Sequence, residues 1–258
     1  MNKNLKPEER LIIAADYSPK DFNGIVGVDD AVLDLAEELK GLGVYIKVNS
    51  ALRAFGYGLI DAIHGEGLKV CADLKLIDIP KTMEIDGQLL REAGPELLTV
   101  MCCAGINGMN AVKKAVGEST EVIGVTILTS LNNEECQSIF SCSTEVGVLR
   151  LSQMARLAGL GGLVLSPQEA CLIDKGFEIA FSVNCPGIRP KWSVVENDDQ
   201  ARVLTPYDAI KNGADRIIVG RPITGACKND KGLPDNPREA VLWTLREIED
   251  AMNTNCCC

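Results

Sequence analysis

Short runs of apolar and β-branched residues recur along the chain, and each is bounded by polar residues, glycine or proline. Runs of this length and composition are typical of buried strands. Between them lie segments such as 29–43 and 148–162, with apolar residues at helical spacing and glycine at the end, and a last helical pattern covers 237–252. The predicted strands span residues 10–16, 44–49, 69–75, 97–102, 121–128, 161–166, 178–184 and 216–221.

Strand and helix patterns alternate eight times without a linker, repeat or low-complexity segment, which favours a closed parallel barrel over an open doubly wound sheet. The length of 258 residues agrees with the roughly 250 residues usual for this architecture. The sequence contains no G-x-G-x-x-G motif after the first strand and no Walker A lysine loop. We therefore predict an α/β fold, a (β/α)8 TIM barrel that forms a single domain over residues 1–258, with a flexible tail from about residue 253.

The chain carries 36 acidic and 26 basic residues, a formal charge of -10, and no block of lysine or arginine. This balance disfavours nucleic acid or an anionic membrane as a partner. The apolar run near the N-terminus, 11–15, is too short for a signal peptide or a membrane span. We therefore expect a cytoplasmic protein that binds neither nucleic acid nor membrane.

Eleven cysteines are scattered along the chain, and three of them form its end, Cys256 to Cys258. No C-x-x-C motif occurs, and the single histidine, His64, cannot complete the usual Cys/His zinc set. We interpret the cysteines as reduced thiols, most of them small core residues, and expect no metal.

Polar side chains end several of the apolar strands, where (β/α)8 barrels place their chemistry. Side chains alternate along the third predicted strand, so Cys71, Asp73 and Lys75 are expected to face the barrel interior. Pro80 cannot continue a strand, which assigns Asp78 to the turn that leaves the barrel. The other polar residues at predicted strand ends are Asp16, Lys47, Thr129, Ser130, Gly220 and Arg221.

The charges on the third strand allow two interpretations. Taken by themselves, Asp73 and Lys75 are as typical of an ion pair that neutralises itself at a barrel rim as of an active site. Lys47 on the neighbouring strand extends the pair to an array of two lysines and two aspartates. Such arrays are costly to dehydrate unless the charges hold one another in place, and they are typical of preorganised electrostatic sites.

A long connection, from about 185 to 204, precedes the last predicted strand, and connections of this length in a compact domain are usually lids or binding loops. It contains Arg189 and Gln200, although Arg189 alone is equally consistent with a surface charge. Gly220 and Arg221 follow the eighth strand, where barrels commonly bind a phosphate through backbone N–H groups and a helix N-terminus. These features predict a phosphorylated substrate.

Six motifs occur in an order that closely resembles the orotidine 5'-monophosphate decarboxylase family, and they cover the chain from about residue 11 to 226. The resemblance implies a cofactor-free barrel, usually a homodimer, that converts orotidine 5'-monophosphate to uridine 5'-monophosphate (UMP) and carbon dioxide, the last step of de novo UMP biosynthesis. The motifs are IKV around Lys47, DLKLIDIPKT (73–82), VTILTS (125–130), LSPQEA (165–170), PGIRP (186–190) and GADRIIVGRPIT (213–224).

The catalytic roles that the resemblance implies fall on the charged array. Lys75 is the acid that protonates C6 as the carboxylate leaves, and its cation stabilises the developing carbanion. Asp73 lies against the substrate carboxylate, where it either raises the ground-state energy or positions Lys75. Lys47, also counted with the catalytic residues, and Asp16 hold the ribose hydroxyls.

The resemblance also implies that residues of the third strand's turn act in the neighbouring subunit. Asp78, counted with the catalytic residues, reaches into the partner's site together with Ile79 and Thr82. The remaining substrate contacts that it implies are Thr129 and Ser130 at the pyrimidine edge, Pro186 of the PGIRP motif, and Arg189, Gln200, Gly220 and Arg221 at the phosphate.

The chain departs from the family pattern at three places. The family usually has glycine where this chain has Asn49, and it often has histidine in the fourth strand, where this chain reads VMCC (100–103). The stretch 18–27, SPKDFNGIVG, resembles an insertion before the first helix. We expect the insertion to alter the rim near the ribose.

Two other interpretations are open. The related barrel enzyme 3-keto-L-gulonate 6-phosphate decarboxylase shares the D-x-K-x-x-D motif, but it requires magnesium and generally has glutamate in place of Lys47. A catalytically silent barrel that serves as a binding or scaffold protein leaves the four charges without a reason, because uncoupled buried charges cost stability.

Overall fold

The fold is a closed barrel of eight parallel strands, numbered β1 to β8 in chain order, in which β8 pairs with β1. The computed structural model describes residues 5–176, 181–193, 204–226 and 233–254, without the side chains of 174–176. The predicted (β/α)8 class and the eight predicted strands are confirmed. The strands are β1 Leu11–Ala14, β2 Tyr45–Val48, β3 Lys69–Leu76, β4 Leu97–Met101, β5 Glu121–Val125, β6 Gly162–Val164, β7 Ser182–Cys185 and β8 Arg216–Val219.

Helices lie between successive strands, as the alternating pattern predicts, and they pack on the outside of the barrel through a continuous apolar core. No helix in the described ranges is both long enough and apolar enough to cross a membrane. The helices are α1 Gly24–Glu38, α2 Ser50–Phe55, α3 Gly58–Gly65, α4 Pro80–Ala93, α5 Gly105–Val116, α6 Asn133–Phe140, α7 Thr144–Leu157, α8 Ala170–Gly176, α9 Pro206–Lys211, α10 Arg221–Thr224 and α11 Pro237–Asn253. Short 3-10 helices cover Pro7–Arg10, Cys102–Ala104 and Lys191–Ser193.

Two helices begin earlier than the sequence pattern predicts. Helix α1 begins at Gly24, so the expectation that the stretch 18–27 precedes the first helix was wrong for its last residues. Helix α7 begins at Thr144 because the Ser143 hydroxyl accepts a hydrogen bond from the backbone N–H of Val146, which caps the helix N-terminus. Helix α11 continues to Asn253, and residues 255–258 of the predicted tail lie outside the described residues.

Strand β3 has the alternation that its sequence predicts. Val70 and Ala72 are fully buried in the core between barrel and helices. Cys71 points the other way, into an apolar layer that fills the middle of the barrel. Burial of each large aliphatic side chain stabilises the fold by roughly 1.5–3 kcal/mol. The residues of this apolar layer, apart from Cys71, include Ile12, Leu97, Ile123 and Ile218.

A polar network closes the amino ends of the strands below the apolar layer. The buried guanidinium group of Arg216 donates to Glu121 (2.9 Å), to the Ser182 hydroxyl (3.1 Å) and to the side-chain oxygen of Asn184 (3.3 Å). The Ser182 hydroxyl in turn donates to Glu121. Burial lowers the pKa of Arg216, but the charge of Glu121 raises it above its ordinary value, so the guanidinium stays ionised.

Candidate active site

A cavity of about 550 Å³ opens at the carboxyl ends of the strands, the end at which (β/α)8 barrels carry their chemistry. Its walls combine apolar strand residues with a small number of charged groups, as is usual for small-molecule sites. The residues predicted from the sequence that line it are Asp16, Lys47, Asp73, Lys75, Thr129, Pro186 and Gly220.

Four of these side chains form a continuous chain of alternating charge. The ammonium group of Lys47 lies 2.7 Å from Oδ2 of Asp16 and 3.1 Å from Oδ2 of Asp73. The same Asp73 oxygen lies 2.6 Å from the ammonium group of Lys75. Asp73 therefore contacts both lysines through one oxygen atom, and its other oxygen is left for a different partner.

Burial decreases from the centre of this array outward. Asp73 and Lys47 are buried, whereas the side chains of Lys75 and Asp16 are 32% and 53% exposed. Because Lys75 and Asp16 line the cavity and are partly exposed, a ligand can contact them without moving other side chains. The inner two hold them from below.

The two central charges keep each other ionised. Burial alone would raise the pKa of Asp73. The charges of Lys47 and Lys75 lower this pKa by more than burial raises it, so the pKa lies below its ordinary value. For Lys47, burial lowers the pKa, and the charges of Asp73 and Asp16 raise it above the ordinary value. Asp73 and Lys47 therefore keep their opposite charges at neutral pH, and each is held in place by the other and by its outer neighbour in the array.

Thr99 supplies the remaining partner of Asp73. Its hydroxyl donates to Oδ1 of Asp73 at 2.9 Å and accepts the backbone N–H of Lys75 at 2.8 Å. Thr99 is not among the residues predicted from the sequence. The signal that was available is a single hydroxyl side chain within the apolar run LLTVM, on the strand next to the D-L-K motif.

Lys75 has an unusual backbone conformation, with φ of 47°, in the left-handed region that residues other than glycine rarely adopt. The pairing of β3 with β4 shifts at the same place, between Ala72 and Leu76. The extra residues form a bulge, and bulges commonly redirect a side chain next to an active site. The conformation of the catalytic candidate is therefore set by an irregular strand.

Several predicted residues do not line the cavity of this chain. Asp78 and Ile79 lie on the exposed turn between β3 and α4, and Thr82 lies in the first turn of α4. Ser130 directly follows Thr129 outside the cavity lining. Arg221 begins α10 next to the cavity residue Gly220 and is itself exposed.

The predicted loop from 185 to 204 is described only at its two ends. Arg189 is partly buried, and its backbone N–H donates to the carbonyl oxygen of Leu204 at 3.0 Å, which joins the two ends. Gln200 lies outside the described residues, so its predicted phosphate contact stays a prediction. Pro186, at the start of the loop, lines the cavity.

Asn49, at which the chain departs from the pattern of the family it resembles, also lines the cavity. Its side-chain oxygen is buried and has no hydrogen-bond partner within the part of the chain that the structure describes. The residue directly follows β2, two positions after Lys47.

Among the described residues, no group of three or more His, Cys, Asp or Glu side chains is arranged to hold a metal ion.

Comparisons with known proteins agree on one family. The profile of the family described as orotidine 5'-phosphate decarboxylase / HUMPS matches residues 9–232. The orotidine 5'-phosphate decarboxylase of Pseudomonas entomophila is 34% identical over 229 residues, which cover 86% of this chain and 93% of that protein. The enzyme of the same name from Syntrophus aciditrophicus is 36% identical over 233 residues, 86% of this chain and 89% of that protein.

A solved structure agrees with this result. The crystal structure of orotidine 5'-phosphate decarboxylase from Lactobacillus acidophilus superposes with a TM-score of 0.73 at 25% identity, over 93% of this chain and 99% of that chain. The similarity therefore extends over the whole barrel rather than over one motif.

Proposed function

The chain belongs to the orotidine 5'-phosphate decarboxylase / HUMPS family, and we propose that its Asp16–Lys47–Asp73–Lys75 array performs the reaction without a cofactor. The protein is a carboxy-lyase that converts orotidine 5'-monophosphate to UMP and carbon dioxide in pyrimidine biosynthesis. The observation that carries the proposal is the contact of one Asp73 oxygen with both ammonium groups, at 3.1 Å from Lys47 and 2.6 Å from Lys75. This contact supports a role for Lys75 as a proton donor that is held beside a fixed counter-charge at the cavity.

Lys75 is the proton donor. When the bond between C6 and the carboxylate breaks, carbon dioxide leaves and the electron pair remains on C6. The ammonium group of Lys75 stabilises this negative charge and then transfers a proton to C6, which gives UMP and a neutral amine that solvent reprotonates. Its partial exposure at the cavity wall supports this role, because the proton must reach a bound substrate.

Asp73 is the positioning anion of the array. Its carboxylate lies next to Lys75, so the carboxylate of a substrate bound for proton transfer to C6 lies near it too. The hydrogen bonds of both oxygens, to Lys75 and to Thr99, support a role in orienting Lys75. Since these bonds fix the carboxylate beside Lys75, little reorganisation is needed during the reaction.

The rest of the substrate extends from the array toward the cavity rim. Lys47 and Asp16 hold the ribose hydroxyls as donor and acceptor, and Asp16 is exposed enough to do so. The pyrimidine edge and the phosphate are held farther out, where binding energy from the phosphate helps to organise the reacting end. The residues proposed for these contacts are Thr129 and Ser130 at the pyrimidine, and Pro186, Arg189, Gln200, Gly220 and Arg221 toward the phosphate.

The active enzyme is a homodimer with shared sites. Asp78, Ile79 and Thr82 lie outside the cavity of their own subunit, which supports a role in a partner's site. An apolar surface adjoins them, with Ile77 57% and Ile79 66% exposed on the turn. On α4, Ile85 is also exposed. Exposed apolar groups that cluster in this way commonly mark a protein interface.

The reaction takes place in the cytoplasm. The seven described cysteines are all free thiols, which supports a reducing compartment. The proposed reaction, loss of carbon dioxide followed by proton transfer from Lys75, needs no oxidant and no metal.

The loss of orotidine 5'-monophosphate absorbance with purified protein in excess EDTA tests the function. We expect rapid conversion that the chelator leaves unchanged. Turnover of a sugar phosphate only after addition of magnesium would instead favour the 3-keto-L-gulonate 6-phosphate reaction, which Lys47 disfavours because its cation lies where a metal ligand would be needed. Tight UMP binding without turnover of either substrate would indicate a silent barrel.

A further inference from the structure

Thr99 joins Asp73 and Lys75, the two groups proposed to act at C6, through a single hydroxyl. It lies on β4 and is 3% exposed, and its oxygen contacts both Oδ1 of Asp73 (2.9 Å) and the backbone nitrogen of Lys75 (2.8 Å). A hydroxyl has one proton and two lone pairs. Since Asp73 is ionised, the proton of Thr99 goes to the carboxylate and a lone pair accepts the Lys75 N–H.

The contact lies where the ladder between β3 and β4 is interrupted. Ala72 pairs with Leu98 and Leu76 pairs with Val100, so residues 73–75 lie opposite Thr99 alone. In a regular ladder the Lys75 N–H would donate to a backbone carbonyl of the neighbouring strand. Here it donates to a side chain, so the Thr99 hydroxyl supplies the acceptor for a partly buried backbone N–H at the residue whose φ is 47°.

We propose that Thr99 is a positioning residue for the decarboxylation: its hydroxyl fixes the Asp73 carboxylate and the backbone of Lys75 in the geometry from which the lysine reaches C6. The inference rests on the proposed function of Lys75 and Asp73. It adds a residue that touches neither the ribose nor the phosphate contacts proposed above.

Loss of the hydroxyl has two direct consequences. Oδ1 of Asp73 loses its described donor from β4, so the carboxylate can rotate and Oδ2 no longer points at both lysines. The N–H of Lys75 also loses its acceptor, which loosens the backbone that aims the ammonium group. Both changes affect the reacting end and leave the binding end intact, so kcat should fall while ligand affinity is retained.

The test compares Thr99→Val, which replaces the hydroxyl with a methyl of similar size, with Thr99→Ser, which keeps the hydroxyl. We expect Thr99→Val to lower kcat roughly ten- to a hundredfold, the scale of a small misplacement of a reacting group. KM and the UMP dissociation constant should change by no more than about twofold, because affinity comes from remote contacts. Thr99→Ser should recover most of the kcat.

Thr120→Val is the matched control. Thr120 is also buried, and its hydroxyl donates to the carbonyl oxygen of Pro95 at 2.7 Å, just before β5 at the opposite end of the barrel. This variant should lose thermal stability and keep the wild-type kcat. A difference in kcat between the two valine variants then reports position in the site rather than loss of a buried hydrogen bond.

The outcomes separate this inference from the function on which it rests. The role of the hydroxyl would be overturned if Thr99→Val kept the full kcat, or if Thr99→Val and Thr99→Ser lost kcat equally. The proposed function would still be upheld in either case, provided that the wild-type protein converts orotidine 5'-monophosphate. Failure of the wild-type protein itself to convert orotidine 5'-monophosphate would overturn both. If Thr99→Val does not fold, as judged by circular dichroism and UMP binding, Thr99→Ala is measured against Thr99→Ser by the same criteria.

Discussion

Lys75 donates a 2.6 Å hydrogen bond to Asp73, a residue only two positions earlier on the same strand. Both residues belong to β3, so the barrel itself holds the pair together without help from a loop. The proposed acid and its counter-charge therefore lie together on one strand of the barrel. Several measurable consequences arise from this arrangement and from the residues around it.

Replacement of Lys75 by alanine should abolish decarboxylation with the fold intact. Removal of both the proton donor and the cation that stabilises C6 is expected to lower kcat by roughly a thousandfold or more. The change is followed by orotidine 5'-monophosphate absorbance, with circular dichroism to verify folding. Lys40→Ala, which removes an exposed lysine just after α1 that pairs with Glu66, is the control and should retain full activity. Undiminished turnover in a folded Lys75→Ala protein would refute the mechanism.

Arg221→Ala should chiefly weaken substrate binding. Loss of a hydrogen bond to a charged phosphate costs roughly 1.5–3 kcal/mol, which corresponds to about a ten- to hundredfold increase in KM. Steady-state kinetics measure this effect, and kcat should change less. Arg150 on α7 is also exposed, so Arg150→Ala serves as the control. An unchanged KM for Arg221→Ala would remove Arg221 from the phosphate site.

Mixtures of two inactive variants test whether Asp78 acts in the neighbouring subunit. Lys75→Ala and Asp78→Ala subunits, refolded together in equal amounts, should regain about a quarter of wild-type activity, since random pairing makes half the dimers mixed and each mixed dimer has one intact site. Each variant refolded alone should stay inactive. If mixed dimers form, as shown by differently tagged subunits, and no activity returns, Asp78 does not act across the interface.

The lowered pKa of Asp73 predicts acid sensitivity. A carboxylate with a folded-state pKa below its unfolded value of about 3.9 stabilises the protein above that pH, and the stability is lost as the pH falls through the folded-state pKa. Urea unfolding of the wild type at fixed protein concentration should therefore show a decline below about pH 4.

Asp73→Asn provides the comparison for this pH profile. At neutral pH it should be less stable by roughly 3–5 kcal/mol, because Lys47 is left buried without one of its counter-charges. Its stability should then fall less steeply in acid, since the titrating group is gone. Asp61→Asn, at an exposed position of α3, should follow the wild-type profile, and an equally shallow profile there would contradict the assignment.

Cysteine labelling tests the packing of the barrel interior. Burial raises the pKa of Cys71 and of Cys102 to about 12, so both thiols are protonated and inaccessible at pH values near 8. Alkylation of the native protein, read by peptide mass spectrometry, should modify the exposed Cys103 and Cys171 and spare the buried pair until denaturant is added. Modification of Cys71 as fast as Cys171 in the native protein would show that the apolar layer opens.

The barrel and most of its charged array could be predicted from the sequence, because both depend on short-range patterns. The inward direction of Cys71 and Asp73 follows from the alternation along β3, whereas Lys75 reaches the same cavity from the bulge between Ala72 and Leu76. The Ser143 cap of α7 is also readable, although the helix start was predicted four residues too late. The contact of Thr99 with Lys75 could not be predicted in the same way, since it depends on the shifted register between β3 and β4.

Other differences arise where the chain leaves a strand. Ser130 and Arg221 directly follow residues that line the cavity, yet they do not line it themselves, because the direction of a turn rather than strand periodicity decides where such side chains point. The left-handed backbone of Lys75 has no sequence signal, since lysine is not a residue that favours positive φ.

The apolar layer around Cys71 lies between two polar assemblies, the charged array at the cavity and the Arg216 network at the amino ends of the strands. The side chains of the lower network do not touch the cavity, and those of the array do not touch Glu121 or Ser182. Both assemblies stabilise the fold, but only the array lines the cavity. Laboratory evolution can therefore change durability at the amino ends of the strands without altering a residue of the cavity, whereas a change in the array alters durability and speed together.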